Sequence, residues 1–140
     1  MSTEQNRKLG ARWAELWNFD KSLDVVNEIV DESFVSHSTP PGLPSGQEGV
    51  RIWANVFRKA FPDIQCTAED VIVEGDKVVE RFSASGTFLG EFMGIPPTGK
   101  SGGTTGINIF RVANGKIVEH WGNSDDLGMM QQMGVIPTMG

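Results

Sequence analysis

The sequence predicts an α+β fold with helices packed on one side of a curved antiparallel sheet. Three observations predict it. Apolar residues fall at helical spacing up to Pro62, the pattern becomes extended after Pro62, and two hairpin turns, Glu74-Gly75-Asp76 and Asn114-Gly115, punctuate the second half. Helices packed on a curved sheet can enclose a pocket.

The first helix is expected in TEQNRKLGARWAELWNF, where Leu9, Trp13, Leu16 and Trp17 share a face after Ser2 or Thr3 as N-cap. Gly10 weakens it by about 1 kcal/mol relative to Ala without reversing the pattern. A second helix fits Leu23, Val26, Ile29 and Val30 in SLDVVNEIVDESF, before the Pro- and Gly-rich loop VSHSTPPGLPSG. A third carries Val50, Trp53, Val56, Phe57 and Ala60 along one side of QEGVRIWANVFRKAF and stops at Pro62, because proline lacks the amide a helix needs.

Two β-rich runs flank Glu74-Gly75-Asp76, and TTGINIFRV and KIVEHWGNS flank Asn114-Gly115. Between these pairs, GEFMGIPPTGKSGG reads as an excursion, and DLGMMQQMG as a closing helical turn. No repeat, low-complexity tract or linker divides the chain, so residues 1–140 are expected to form one domain.

Twelve Lys and Arg stand against eighteen Asp and Glu, a net charge of -6 without any basic run. That balance argues against nucleic acid as a partner. A single cysteine, Cys66, excludes an internal disulfide, and two histidines, His37 and His120, supply no zinc-type spacing. Residues 1–17 lack a signal-peptide core, and no run approaches the ~18 apolar residues of a membrane span. The expectation is a soluble, cytoplasmic protein with neither membrane nor metal.

The last hairpin carries the candidate site. If Asn114-Gly115 are the central residues of a two-residue turn, Ala113 pairs with Lys116, Val112 with Ile117, Phe110 with Glu119 and Asn108 with Trp121. Alternation then puts Asn108, Phe110, Glu119, Trp121, Asn123 and Asp125 on one face. Ile107, Ile109, Arg111, Val118, His120 and Ser124 take the other. Aromatic surface with a few convergent polar groups suits a small-molecule cavity, so the first face is assigned to the pocket. The second suits a dimer interface. A bulge after Trp121, for which Gly122 is the natural place, would invert the assignment beyond it.

Four stretches, FVSH, FPDI, GEFMGIPPTGK and GINIFRVANGKIVEHWGNSDDLGMMQQMG, occur in an order and spacing that resemble the SnoaL-like polyketide cyclases, also called ester cyclases. The resemblance covers nearly the whole chain. It implies a cone-shaped α+β fold of the nuclear transport factor 2-like class, also used by ketosteroid isomerase, with helices in the concave face of the sheet and dimerisation through the sheet. It further implies intramolecular aldol ring closure of a polyketide-like carbonyl substrate without metal or organic cofactor. The family's acid/base aspartate lies just before the C-terminal Leu-Gly segment, separated from it by one residue, which selects Asp125. Its pattern also matches Asn123 as a polar residue two positions earlier and His37 at the end of the second helical region.

Aldol closure needs a base for a proton on activated carbon and an acid for the resulting alkoxide, and one carboxylate can serve both steps. Burial beside Trp121, Phe110 and Met129 or Met130 would raise the pKa of Asp125 toward useful basicity. Aspartates before a short helix are also common N-caps, worth about 1 kcal/mol. Hairpin phase and family spacing divide the pair: Asp125 as catalyst, Asp126 as cap or solvated charge. His37 joins Asp125 as a catalytic candidate, while Asn123, Asn108, Trp121, Phe110 and Trp53 are candidate substrate contacts. His120 is expected at an interface or surface, and Trp13 and Trp17 as packing that can line a pocket. The competing expectations are an epoxide hydrolase or polyketide hydroxylase on the same fold, or a ligand-binding or dimerisation module without chemistry.

Overall fold

The computed structural model describes residues 2–138. The chain runs through helix α1 (Thr3–Arg12), a 3₁₀ turn (Trp13–Leu16), α2 (Val25–Ile29), β1 (Val30–Ser36), α3 (Gly46–Ala60), β2 (Gln65–Glu74), β3 (Lys77–Thr87), β4 (Ser101–Ala113), β5 (Lys116–Ser124) and α4 (Asp126–Gln132). The strands form one curved, unclosed sheet in the order β1-β5-β4-β3-β2, which bears out the α+β expectation. Strands β2 to β5 pair antiparallel, but β1 lies parallel to β5, so the sheet is mixed.

Helix α1 starts at a reciprocal cap: the Ser2 hydroxyl accepts from the Gln5 amide at 3.1 Å, and the Gln5 side chain accepts from the Ser2 amide at 3.0 Å. Gly10 lets this helix lie against the sheet, because a Cβ there would stand 2.5 Å from a Val78 methyl group. The 3₁₀ turn and the loop after it are clamped from α3 by Arg58. Its buried guanidinium donates to the carbonyls of Leu16 and Lys21 at 2.8 Å and of Glu15 at 3.1 Å.

The second helix is shorter than expected, because Val30 begins strand β1 instead of continuing the helix. Val30 and Phe34 are both buried, and a spacing of four fits one face of either a helix or a strand. Pairing with β5 decides in favour of the strand. In the last hairpin Asn114 and Gly115 both take positive φ (53° and 80°), and Ala113 pairs with Lys116 as expected. The Gly- and Pro-rich excursion is closed at its base by Phe88 and Lys100, whose amide and carbonyl meet at 2.9 Å. It ends sooner than expected, since Ser101–Gly103 already belong to β4.

Two apolar clusters fill the concave side. One gathers Leu16, Val26, Ile29, Phe34, Phe110 and Ile117. The other gathers Phe61, Ile64, Phe88, Phe92, Met129 and Met133, and Trp17 packs against both. Among the described residues no helix is long and apolar enough to cross a membrane.

Candidate active site

A cavity of about 200 Å³ opens on the concave side of the sheet, bordered by both clusters. Trp13, Trp17, Trp53, Phe57, Phe61 and Phe82 give it aromatic walls. Its polar patch comes from the sheet. Glu80, Asn108 and Gly122 are cross-strand neighbours on β3, β4 and β5, and the adjacent row is Val78, Phe110, His120 and Ser36. Because Gly122 has no side chain, His120 can lean across to Asn108. A Cβ at Gly122 would come within 2.5 Å of the Asn108 oxygen and 2.9 Å of His120 Nε2.

The result is a buried hydrogen-bonded chain. Asn108 Nδ2 donates to Glu80 Oε1 at 2.9 Å, His120 Nε2 lies 2.8 Å from Asn108 Oδ1, and His120 Nδ1 lies 2.8 Å from the Ser36 hydroxyl. The Ser36 hydroxyl also accepts from the Ser38 amide at 3.2 Å, and the Ser38 hydroxyl accepts from the Gly122 amide at 2.7 Å. Trp13 stacks on the His120 ring at 5.0 Å. Asn108, His120 and Ser38 line the cavity, whereas Glu80 is fully buried behind them with Oε2 unpartnered.

Burial sets the charges of this chain. It pushes the Glu80 carboxyl up to about 7, opposed in part by the Asn108 hydrogen bond. It also lowers His120 to about 4, with the charge of His37 adding to the effect, so the imidazole is neutral at neutral pH. Cys66, another lining residue, is pushed up to about 12 by burial and next by Glu80, which leaves the thiol without nucleophilic character. No group of three or more His, Cys, Asp or Glu residues suited to a metal occurs among the described residues.

The candidates read from sequence divide. Asn108 and Trp53 line the cavity, and Asn123 borders it at an exposed position near the mouth. Phe110 points inward but is wholly buried under Trp13 and His120. Trp121 and His37 lie outside the cavity. They stack on each other at 5.1 Å, and His37 Nε2 meets Glu119 at 2.7 Å on the outer face of the sheet. There Arg111 and then His37 hold the Glu119 carboxyl below its usual range.

Asp125 is corrected too. Its exposed side chain accepts from the Gly128 amide at 3.0 Å as the N-cap of α4, while Asp126 borders the cavity and accepts from the Ser124 hydroxyl at 2.6 Å. The two aspartates thus exchange the positions expected of them.

One residue causes these reversals. The β4–β5 register runs Val112 to Ile117 and then Arg111 to Glu119, so Val118 is an extra, bulged residue. Beyond it Phe110 faces His120 and Asn108 faces Gly122. The bulge precedes Trp121 instead of following it, and it turns His120 inward from its expected place at the surface. Glu80 was readable as a charge in phase with Val78 and Phe82; Ser36 left no comparable mark.

A family model described as SnoaL-like polyketide cyclase matches residues 8–133. Among solved structures, TsrD from Streptomyces laurentii is 26% identical with a TM-score of 0.87, over 97% of this chain and 99% of that one. IdmH from Streptomyces antibioticus, named as a candidate polyketide cyclase, is 36% identical with a TM-score of 0.78, over 94% of this chain and 99% of that one. AclR from Streptomyces galilaeus, named as a candidate hydroxylase, is 26% identical with a TM-score of 0.77, over 99% of this chain and 87% of that one. No curated protein matches the chain.

Proposed function

The chain belongs to the SnoaL-like polyketide cyclase family, and from that premise we propose that it closes a ring by a cofactor-independent, intramolecular aldol reaction on a small apolar carbonyl compound. The observation that carries the reading is one cavity combining aromatic walls, a buried polar pair, Asn108 and His120, and the carboxylate of Asp126. Flat aromatic surface on the substrate matches the tryptophan and phenylalanine walls.

In this reading Asp126 removes a proton from a carbon flanked by carbonyls. The resulting enolate carbon attacks a second carbonyl within the same molecule, forming the carbon–carbon bond and an alkoxide. The protonated Asp126 returns its proton to that oxygen, so the carboxylate is regenerated. Asn108 uses one of its two N–H groups on Glu80, and the other is the donor for the carbonyl oxygen on which charge develops. The Ser38 hydroxyl, which accepts from Gly122 and donates to no described residue, supplies a second donor.

The test is ring closure of linear and tricyclic aromatic keto esters, followed by chromatography with wild type, Asp126→Asn, Asn108→Ala and Asp125→Asn. Asp126→Asn is expected to lose about 10²- to 10⁴-fold, the usual contribution of positioned acid/base catalysis. Asp125→Asn retains most of the rate, because asparagine still caps the helix. Loss of activity in Asp125→Asn with retention in Asp126→Asn returns the catalytic role to Asp125.

A second reading, polyketide hydroxylation, draws on the likeness to AclR; incorporation of oxygen into the product without ring closure would favour it. The outer sheet face, where Ile72, Ile107 and Ile109 are exposed, is the surface through which a homodimer is proposed, with sedimentation as its check.

A further inference from the structure

The two histidine nitrogens of the buried chain have different neighbours, a hydroxyl and an amide oxygen, and protons can be distributed along the chain in two ways. In one, Ser36 donates to His120 Nδ1, His120 donates from Nε2 to Asn108, and Asn108 donates to Glu80. With Glu80 ionised, each link of the chain then joins one donor to one acceptor, and Oε2 carries no proton that would need a partner. In the other, His120 donates from Nδ1 to Ser36 and the Asn108 amide is reversed. Its oxygen then faces the Glu80 oxygen, so Glu80 must carry a proton between them. The Ser36 hydroxyl proton is left without an acceptor in the chain, at a half-buried position. A buried polar group left unpaired costs more than a made hydrogen bond contributes, and an ionised Glu80 cannot face the Asn108 oxygen, so with Glu80 ionised the first distribution prevails.

The register of the sheet maintains this arrangement. Ser36 is paired with His120 between β1 and β5, the His37 amide donates to the His120 carbonyl at 2.8 Å, and the Ser38 amide occupies one acceptor site of the Ser36 hydroxyl. We infer that Ser36 is a positioning residue: its hydroxyl holds His120 in the tautomer protonated at Nε2 and thereby holds Asn108 with its amide N–H toward Glu80. In the proposed cyclase, on which only the consequence for substrate rests, this keeps the Asn108 oxygen occupied and its second N–H as the donor in the cavity.

The experiment is a histidine-ring nitrogen–proton correlation spectrum of the full-length, nitrogen-15-labelled protein in mildly alkaline buffer. The chain has only two histidines, so a His37→Gln variant assigns His120 by difference. Wild type is expected to show His120 protonated on Nε2, with an unprotonated, hydrogen-bonded Nδ1. Ser36→Ala loses the hydrogen-bond shift at Nδ1 and gains a second tautomer, and Ser36→Thr, which keeps a hydroxyl, restores the wild-type pattern. A wild-type His120 protonated on Nδ1 overturns the inference even if no variant folds, as does a Ser36→Ala spectrum that superimposes on wild type. The measurement needs no substrate, so its failure is distinct from a failure of the cyclase reading.

Discussion

Ile117 and His120 both face the interior of the sheet although they stand three residues apart on one strand, with exposures of 0% and 8%. An unbroken strand would put them on opposite faces; Val118 takes up the difference as a bulge. Deleting Val118 is therefore expected to leave Glu119 opposite Arg111 and His120 opposite Phe110 in a regular ladder. The variant folds with a loss of about 0.5–3 kcal/mol from lost bending and packing, read by denaturant unfolding, and keeps His120 inside. A His120 that titrates as a solvated imidazole in this variant would refute the bulge.

Glu80 and His120 give stability opposite pH dependences. Glu80 has a folded pKa of about 7 against 4.5 for the free group, so the folded state binds the extra proton. Its contribution is full below pH 4.5 and is lost as pH rises through 7. His120 has a folded value of about 4 against 6.5, so its contribution is full above 6.5 and is lost as pH falls through 4. The two slopes oppose each other between 4.5 and 6.5. Glu80→Gln is expected to gain on wild type by on the order of 3 kcal/mol across the Glu80 window and then to level off, in unfolding curves taken at stepped pH.

Arg58 is a buried cation whose hydrogen bonds go to backbone carbonyls. Arg58→Met leaves the carbonyls of Glu15, Leu16 and Lys21 without that donor, at an expected cost of about 2–4 kcal/mol. Arg58→Lys does not restore it, because an ammonium cannot span the three acceptors as the planar guanidinium does. Denaturation followed by tryptophan fluorescence reads both the loss and the loosening of the wall at Trp17.

Asp125→Ala removes the cap of α4, with an expected loss of about 1 kcal/mol in thermal or chemical unfolding. Asp125→Asn is close to neutral. An equal loss in both variants would show that charge, rather than the hydrogen bond to Gly128, supports the helix.

Strand β4 was legible because its alternation survives intact: Asn108, Phe110 and Val112 all face inward. Strand β5 was not, because a bulge inserts one residue without a compositional mark, and every side chain beyond it changes face. A trace was nevertheless present. The unbulged register sets the carboxylate of Glu119 against the core residue Phe110, whereas the true one sets it against Arg111, an opposite-charge cross-strand pair at 2.8 Å. Val30 and Phe34 misled for another reason, since their spacing satisfies both periods and only pairing with a distant strand settles it. The helical part of the cavity's aromatic wall was legible, because Trp13, Trp17 and Trp53 lie on helical faces that any packing must bury or enclose. Trp121 and Phe110, expected on the pocket face, lie instead outside the cavity and beneath its lining, respectively.

The parallel pairing of β1 with β5 also bears on how the protein is made. Ser36 and His120 are 84 residues apart, and the strand that emerges first from the ribosome finds its neighbour only when the last strand is synthesised. Until then β1 has an open hydrogen-bonding edge and the aromatic surfaces of the nascent chain have no complete sheet to cover them. Folding is thus committed only once β5 has been made, and a chain interrupted within residues 116–124 is primed for chaperone capture or aggregation.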